Sequence, residues 1–241
     1  MSGHSKWNNI KHKKEKADAA KAKIFTKIGK EMAVAIKEGG PDPSNNSRLR
    51  DLIAKAKANN VPNENIQRTI KKFTDNSDIN YEEIIYEGYG PSGVAIIVET
   101  STDNRNRTAG NVRAAFNKYG GNLGQNGCVG FLFEEKGVIT IVDEDEELDE
   151  DKVMEDALEC GAEDIKCDEG EYTIYTSVDD FAAVRDAVIS MGYTLATADL
   201  AKVPSTYVDL TSDEDIENME KMLDKFNEDD DVNAVYHNWN A

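Results

Sequence analysis

Apolar positions recur at helical spacing over the first third of the chain. Over 17–38, Ile24, Ile28, Met32 and Ala35 fall at i, i+4, i+8 and i+11, the spacing of one helix face. Gly39-Gly40-Pro41 stops that helix. A second helix is predicted over 44–59, with Leu49, Leu52, Ile53 and Ala56 inward and Ser44 as N-cap. A third is predicted over 62–73, with Pro62 in the first turn and Ile66, Ile70 and Phe73 inward. Short links between three amphipathic helices predict a small bundle. Residues 1–16 show no apolar period and read as an extended arm.

Beyond residue 80 the period shifts between two and 3.6. Strands are predicted at 84–89 and 94–99 around Gly90-Pro91-Ser92-Gly93, and the second, apolar throughout, reads as central. A helix over 104–119 buries Val112, Phe116 and Tyr119, with Asp103 as N-cap, and a strand follows at 129–133. Residues 137–203 then read as strand, helix, strand, strand, helix, strand, the ferredoxin-like plan. The last piece, with strands at 206–210 and 232–237 around a helix over 212–227, is too short to bury its own core. Joined to the incomplete segment before residue 135, it completes one domain. The expected fold class is α+β: an N-terminal three-helix domain and two ferredoxin-like α/β domains, the third inserted into the second. The expected boundaries are 1–16 for a basic arm, 17–78 for the helical domain, 79–135 with 204–241 for the split domain, and 136–203 for the insertion.

Charge changes this picture from architecture to function. The chain carries a net −19, yet residues 1–73 hold 17 lysines and arginines against 7 acids, a net of +10. The remainder holds 11 basic and 40 acidic residues, a net of −29. Such asymmetry points to a polyanion bound at one end. The candidate phosphate contacts are Lys6, Lys11, Lys13 and Lys14 in the arm, Lys23, Lys27 and Lys30 on the first helix, Arg48 and Lys55 on the second, and Arg68, Lys71 and Lys72 on the third. Lys23, Lys27, Lys30 and Lys37 are expected on an outer face, opposite the apolar stripe. Trp7, between Lys6 and Lys11, offers a ring on which an unpaired base can stack. Arg105 and Arg107 open the helix after the central strand, where helix-start amides and two guanidiniums suit a phosphate.

Other chemistry is thin. GGNLGQNG at 120–127 matches no phosphate-loop pattern and reads as a flexible connection. His4, His12 and His237 form no metal-binding spacing, and the acidic run 143–151 lacks the glycine of a calcium loop. No nucleophile elbow is present. Three cysteines, Cys128, Cys160 and Cys167, suit reduced thiols. No segment reads as a signal peptide or membrane span. The expectation is a non-enzymatic protein with no cofactor, metal, membrane or small-molecule substrate, and with nucleic acid as partner.

Several motifs together resemble the YebC/PmpR family: GHSKWNNIKHKK at 3–14, KIFTKIGKE at 23–31, RLRDLIAKAKANNVPNENIQRTIKK at 48–72, YEGYGPSGVAIIVE at 86–99, TDNRNRT at 102–108 and VYHN at 235–238. The resemblance covers essentially the whole chain. It implies three domains, the third inserted into the second, in a bacterial cytoplasmic protein that binds DNA and regulates transcription. Some members resemble translation factors instead. For those, the partners would be ribosomal RNA and the ribosome, with relief of stalling at sequences such as consecutive prolines.

Overall fold

The computed structural model describes residues 17–75, 80–143, 148–168 and 170–240, with side chains from residue 23 onward. The arm therefore lies outside the described residues, and with it Lys6, Trp7, Lys11, Lys13 and Lys14. The chain forms two compact units. Among the described residues, one comprises those up to Phe131 with those from Thr206 onward, and the other those of Leu132–Ser205.

The first unit opens with α1 (Ala17–Gly39), α2 (Ser47–Ala58) and α3 (Asn63–Asp75). Ile28, Met32 and Ala35 of α1 bury against Leu49, Leu52 and Ala56 of α2 and Ile66 and Ile70 of α3. The α1–α2 corner is built around Asn46, which caps α2 in place of the expected Ser44. Its side chain accepts from Leu49 N at 3.0 Å and donates to Ala35 O at 2.7 Å and Gly40 O at 2.8 Å. Gly39 must be small because a Cβ there would meet the Asn46 amide at 2.8 Å, and Gly40 turns the chain at φ +83°. Ala33 and Val34, outside the three-helix core, are also buried. They lie on the flank where α1 meets a sheet, so α1 is covered on two sides.

That sheet runs β3 (Asn122–Leu123), β1 (Glu82–Tyr89), β2 (Ala95–Thr102), β8 (Val232–His237), and every pairing in it is antiparallel. The predicted central strand is indeed internal: β2 lies between β1 and β8 and is buried along nearly its whole length. Two helices, α4 (Arg105–Lys118) and α7 (Asp213–Glu228), pack over the sheet. Phe116 of α4 and Phe226 of α7 meet at 5.3 Å between ring centroids, over Ile96, Val98 and Met219. The expected strand at 206–210 reduces to one bridge, Val208 to Trp239.

The second unit carries β4 (Phe133–Val142), α5 (Glu150–Glu159), β5 (Asp164–Asp168), β6 (Glu171–Thr176), α6 (Phe181–Ser190) and β7 (Leu195–Pro204). Its antiparallel sheet has the order β5-β6-β4-β7, as the ferredoxin-like reading requires. Ile139, Ile141, Ile174, Val153 and Val184 form its core. The predicted strand at 129–133 is instead a 3-10 turn (Gly130–Leu132), and β4 starts at Phe133, upstream of the predicted 137–203 segment, because it pairs with β7 along its length. The fold class is thus α+β, with helices first and a second sheet domain set within the first.

Candidate nucleic-acid interface

Three of the four lysines expected on the outer face of α1, Lys23, Lys27 and Lys30, are turned inward, against the α7–β8 turn. Lys23 Nζ donates to the Glu228 carbonyl and lies 3.7 Å from Asp230. Lys27 Nζ reaches the Asn227 carbonyl at 3.2 Å. Lys30 Nζ donates to Asp230 O at 2.8 Å and to Asp231 Oδ1 at 2.6 Å. Lys37 donates to Asn80. Positions 23, 27, 30, 34 and 37 share one helix flank, so the flank that buries Val34 also carries these four lysines. Opposite the apolar stripe lies a second protein surface, which periodicity within one helix cannot reveal.

Asp231 is the centre of this seam. Its side chain is 4% exposed and takes Lys30 from α1 and Arg107 from α4. Arg107 donates from Nη2 at 2.7 Å and Nε at 3.2 Å, and Thr108 Oγ1 adds a bond at 2.8 Å. Burial alone would push the Asp231 carboxyl up, but the hydrogen bonds from Lys30, Arg107 and Thr108 outweigh it and bring it down to about 2. Arg107 also pairs with Asp103 at 2.9 Å, and bonds to both acids raise its own pKa. Arg107 is thus committed to protein carboxylates, whereas Arg105 is exposed and has no hydrogen bond or ion pair among the described residues. The cap of α4 is Asn104, accepting from Arg107 N at 3.0 Å, in place of the expected Asp103. That frees Asp103 to hold the guanidinium.

The remaining candidates divide. Arg48 pairs with Glu38 at 2.9 Å and with Glu83, and Lys55 lies 3.7 Å from Glu31. Arg68 meets only Glu64, 3.0 Å away on the same exposed face of α3. Lys71 and Lys72 are exposed, Lys72 lying over the Phe73 ring. Arg50 and Lys57, two turns apart on α2, are exposed as well. Among the described residues no carboxylate pairs with Arg50, Lys57, Lys71 or Lys72. Among the described side chains of the helical body, the cations without a carboxylate partner are therefore on α2 and α3.

The glycine-rich connection has a fixed internal partner. Glu87, buried in β1, accepts from the backbone N–H of Gly127 at 2.8 Å, Val129 at 2.8 Å and Gly130 at 2.7 Å. Three converging amides make an anion nest, and the protein's own carboxylate fills it. Sequence reading missed both Glu87 and Asp231. The visible signals were the acid Glu87 within the predicted strand at 84–89 and the run Asp229-Asp230-Asp231, neither of which says which acid is buried.

Among the described residues no group of three His, Cys, Asp or Glu is placed to hold a metal. Burial pushes the thiols of Cys128, Cys160 and Cys167 up, away from reactive thiolate. No helix among the described residues is long and apolar enough to cross a membrane.

Comparison with known proteins bears on the whole chain. Residues 5–76 match the TACO1/YebC protein N-terminal domain, and residues 81–239 match the TACO1/YebC second and third domain. A protein of Agathobacter rectalis named "Probable transcriptional regulatory protein" is 56% identical over 240 residues, covering 99% of both chains. One of the same name from Acetivibrio thermocellus is 54% identical over 240 residues, again covering 99% of each. The crystal structure of a conserved hypothetical protein from Aquifex aeolicus superposes with a TM-score of 0.84 at 41% identity, covering 92% of this chain and 91% of that one.

Proposed function

Because the chain belongs to the TACO1/YebC family, we propose that it is a non-enzymatic, DNA-binding regulator of transcription that acts in the cytoplasm. Its relatives' names supply the regulatory part of this reading. The observation that carries the nucleic-acid part is the cationic surface that the fold leaves unpaired. A net +10 segment sits on a protein of net −19, and Arg50, Lys57, Lys71 and Lys72 have no carboxylate partner among the described residues. In an acidic protein, cations without carboxylates are the groups that phosphates can neutralise. The arm lysines Lys6, Lys11, Lys13 and Lys14 would extend this surface along the backbone. Lysine supplies point charge without base information, so this surface grips phosphates and fixes position.

The test is the salt dependence of duplex DNA binding by the full chain. Each phosphate contact contributes a slope of roughly −0.9 in log K against log salt. Replacing Arg68, Lys71 and Lys72 by Gln together should flatten the slope by about 2 to 3, and replacing the four arm lysines by Gln should do at least as much. Replacing Lys23 and Lys27 should leave the slope nearly unchanged, because protein groups already occupy them. Slopes indifferent to the α3 and arm substitutions would sink the proposal.

A further inference from the structure

The α2–α3 surface carries the cations Lys57, Lys71 and Lys72 that suit phosphates, beside a few exposed polar residues such as Gln67 and Arg68. A second surface combines arginine and asparagine on one helix without acids. α4 carries 4 of the 11 basic residues that follow residue 73, and it contains no acid in 14 residues. Two of its polar groups are spent on α7 and the turn beyond it. Arg107 holds Asp231, and Asn111 donates to Asp229 at 3.0 Å. At about 100° per residue, Asn106, Arg113 and Asn117 share the flank turned away from that acidic helix, and Arg105, the first residue, stands at its N-terminal end. All four are exposed. Ala109 and Gly110 border that row on either side, and a Cβ at Gly110 would meet nothing within 4 Å. The flank is thus a short row of Asn106, Arg113 and Asn117 bordered by small residues, with Arg105 at its start. At its foot lies the Tyr86 hydroxyl, buried and without a hydrogen-bond partner. Burial pushes that hydroxyl's pKa up, and the nearby charges of Arg105 and Arg113 pull against the shift.

We propose that this flank of α4 enters the major groove of duplex DNA, with Arg105, Asn106, Arg113 and Asn117 as the side chains that meet base edges. The inference rests on the nucleic-acid reading above and adds where sequence is read. Arginine pairs bidentately with guanine O6 and N7, and asparagine with adenine N6 and N7. A B-form major groove, about 12 Å wide, admits a helix, whereas that of A-form RNA is too deep and narrow for side chains to read. Alanine and glycine beside the long side chains let the helix axis come close to the groove floor. Arg107 and Asn111, tied to the α7–β8 turn, fix the roll of α4 and thereby aim the flank. Lysines of α2, α3 and the arm supply the sequence-independent grip.

Binding-site selection from a randomised duplex pool tests this, with the full chain as wild type, as Arg113→Lys with Asn117→Ala, and as Arg105→Lys with Asn106→Ala. Lysine keeps the phosphate charge but not the planar fork. The wild type should enrich a short motif, and each lost contact should relax discrimination at one position by roughly 5- to 150-fold. Affinity of both variants for the unselected pool, and their salt slope, should stay within about threefold of wild type. A wild type that binds duplex salt-dependently yet enriches no motif overturns this inference and leaves the phosphate-gripping surface standing, as does a motif kept unchanged by both variants. A folded RNA pool that outcompetes the duplex also overturns it. Absence of any salt-dependent binding removes both readings together.

Discussion

The Asp231→Asn substitution probes the seam most directly. The amide keeps the shape but cannot offset Lys30 and Arg107 together, and its NH2 faces donors where the carboxylate accepted through both oxygens. The folded Asp231 pKa, about 2, lies below its ordinary 3.8, so its contribution is present above that value and is lost as pH falls through about 2. That difference amounts to about 2 kcal/mol at neutral pH. Stranding a partner of a fully buried ion pair costs about 3–5 kcal/mol, but Arg107 is half exposed and keeps Asp103, which limits the loss. The expected penalty is therefore about 2–3 kcal/mol, or a drop of about 1 M in the urea midpoint. Urea unfolding of wild type and variant between pH 8 and pH 3 measures it. The charge-dependent part of the gap should hold at about 2 kcal/mol down to about pH 5 and roughly halve by pH 3. Amide exchange should also accelerate in α1, whose hold on the sheet runs through Lys30. A midpoint shift under about 0.2 M at pH 7, or a gap that does not narrow in acid, would refute the reasoning.

His237 is buried in apolar surroundings, its Nδ1 has no hydrogen-bond partner, and burial lowers its pKa from 6.5 to about 4. Its neutral form is the folded one, so stability is full above pH 6.5 and declines by about 3 kcal/mol as pH falls toward 4. An imidazole that titrates near 6.5 in the folded protein by NMR would contradict this. Glu87→Gln turns an NH2 toward backbone donors that the carboxylate satisfied. Exchange protection of Gly127, Val129 and Gly130 should fall at least tenfold, about 1.4 kcal/mol of local opening, while that of Val98 holds. Equal protection in both proteins would remove Glu87 as the loop's anchor.

Periodicity carried most of the architecture, because burial on one face is written into spacing. Ile28, Met32, Leu49 and Ile66 were identifiable as core from the helical repeat alone, and the apolar run at 94–98 announced an internal strand. The inserted sheet domain could be read from its strand and helix order, since each element leaves a local signature. The charge segregation was likewise plain, because net charge is a sum over sequence. Long-range partners decided the rest. Nothing near Lys23, Lys27 or Lys30 in sequence distinguishes them from Lys71, yet residues 227–231 claim the first three and leave Lys71 in solvent. Arg107 and Arg105 are two residues apart, but a helix turns them to different neighbours, and only Arg107 meets Asp231. Glu87 was an anomaly in a strand until the chain returned forty residues later with three amides. A side chain's type and spacing set what it can bond. Which bond it makes depends on groups that only the folded chain brings within 3 Å.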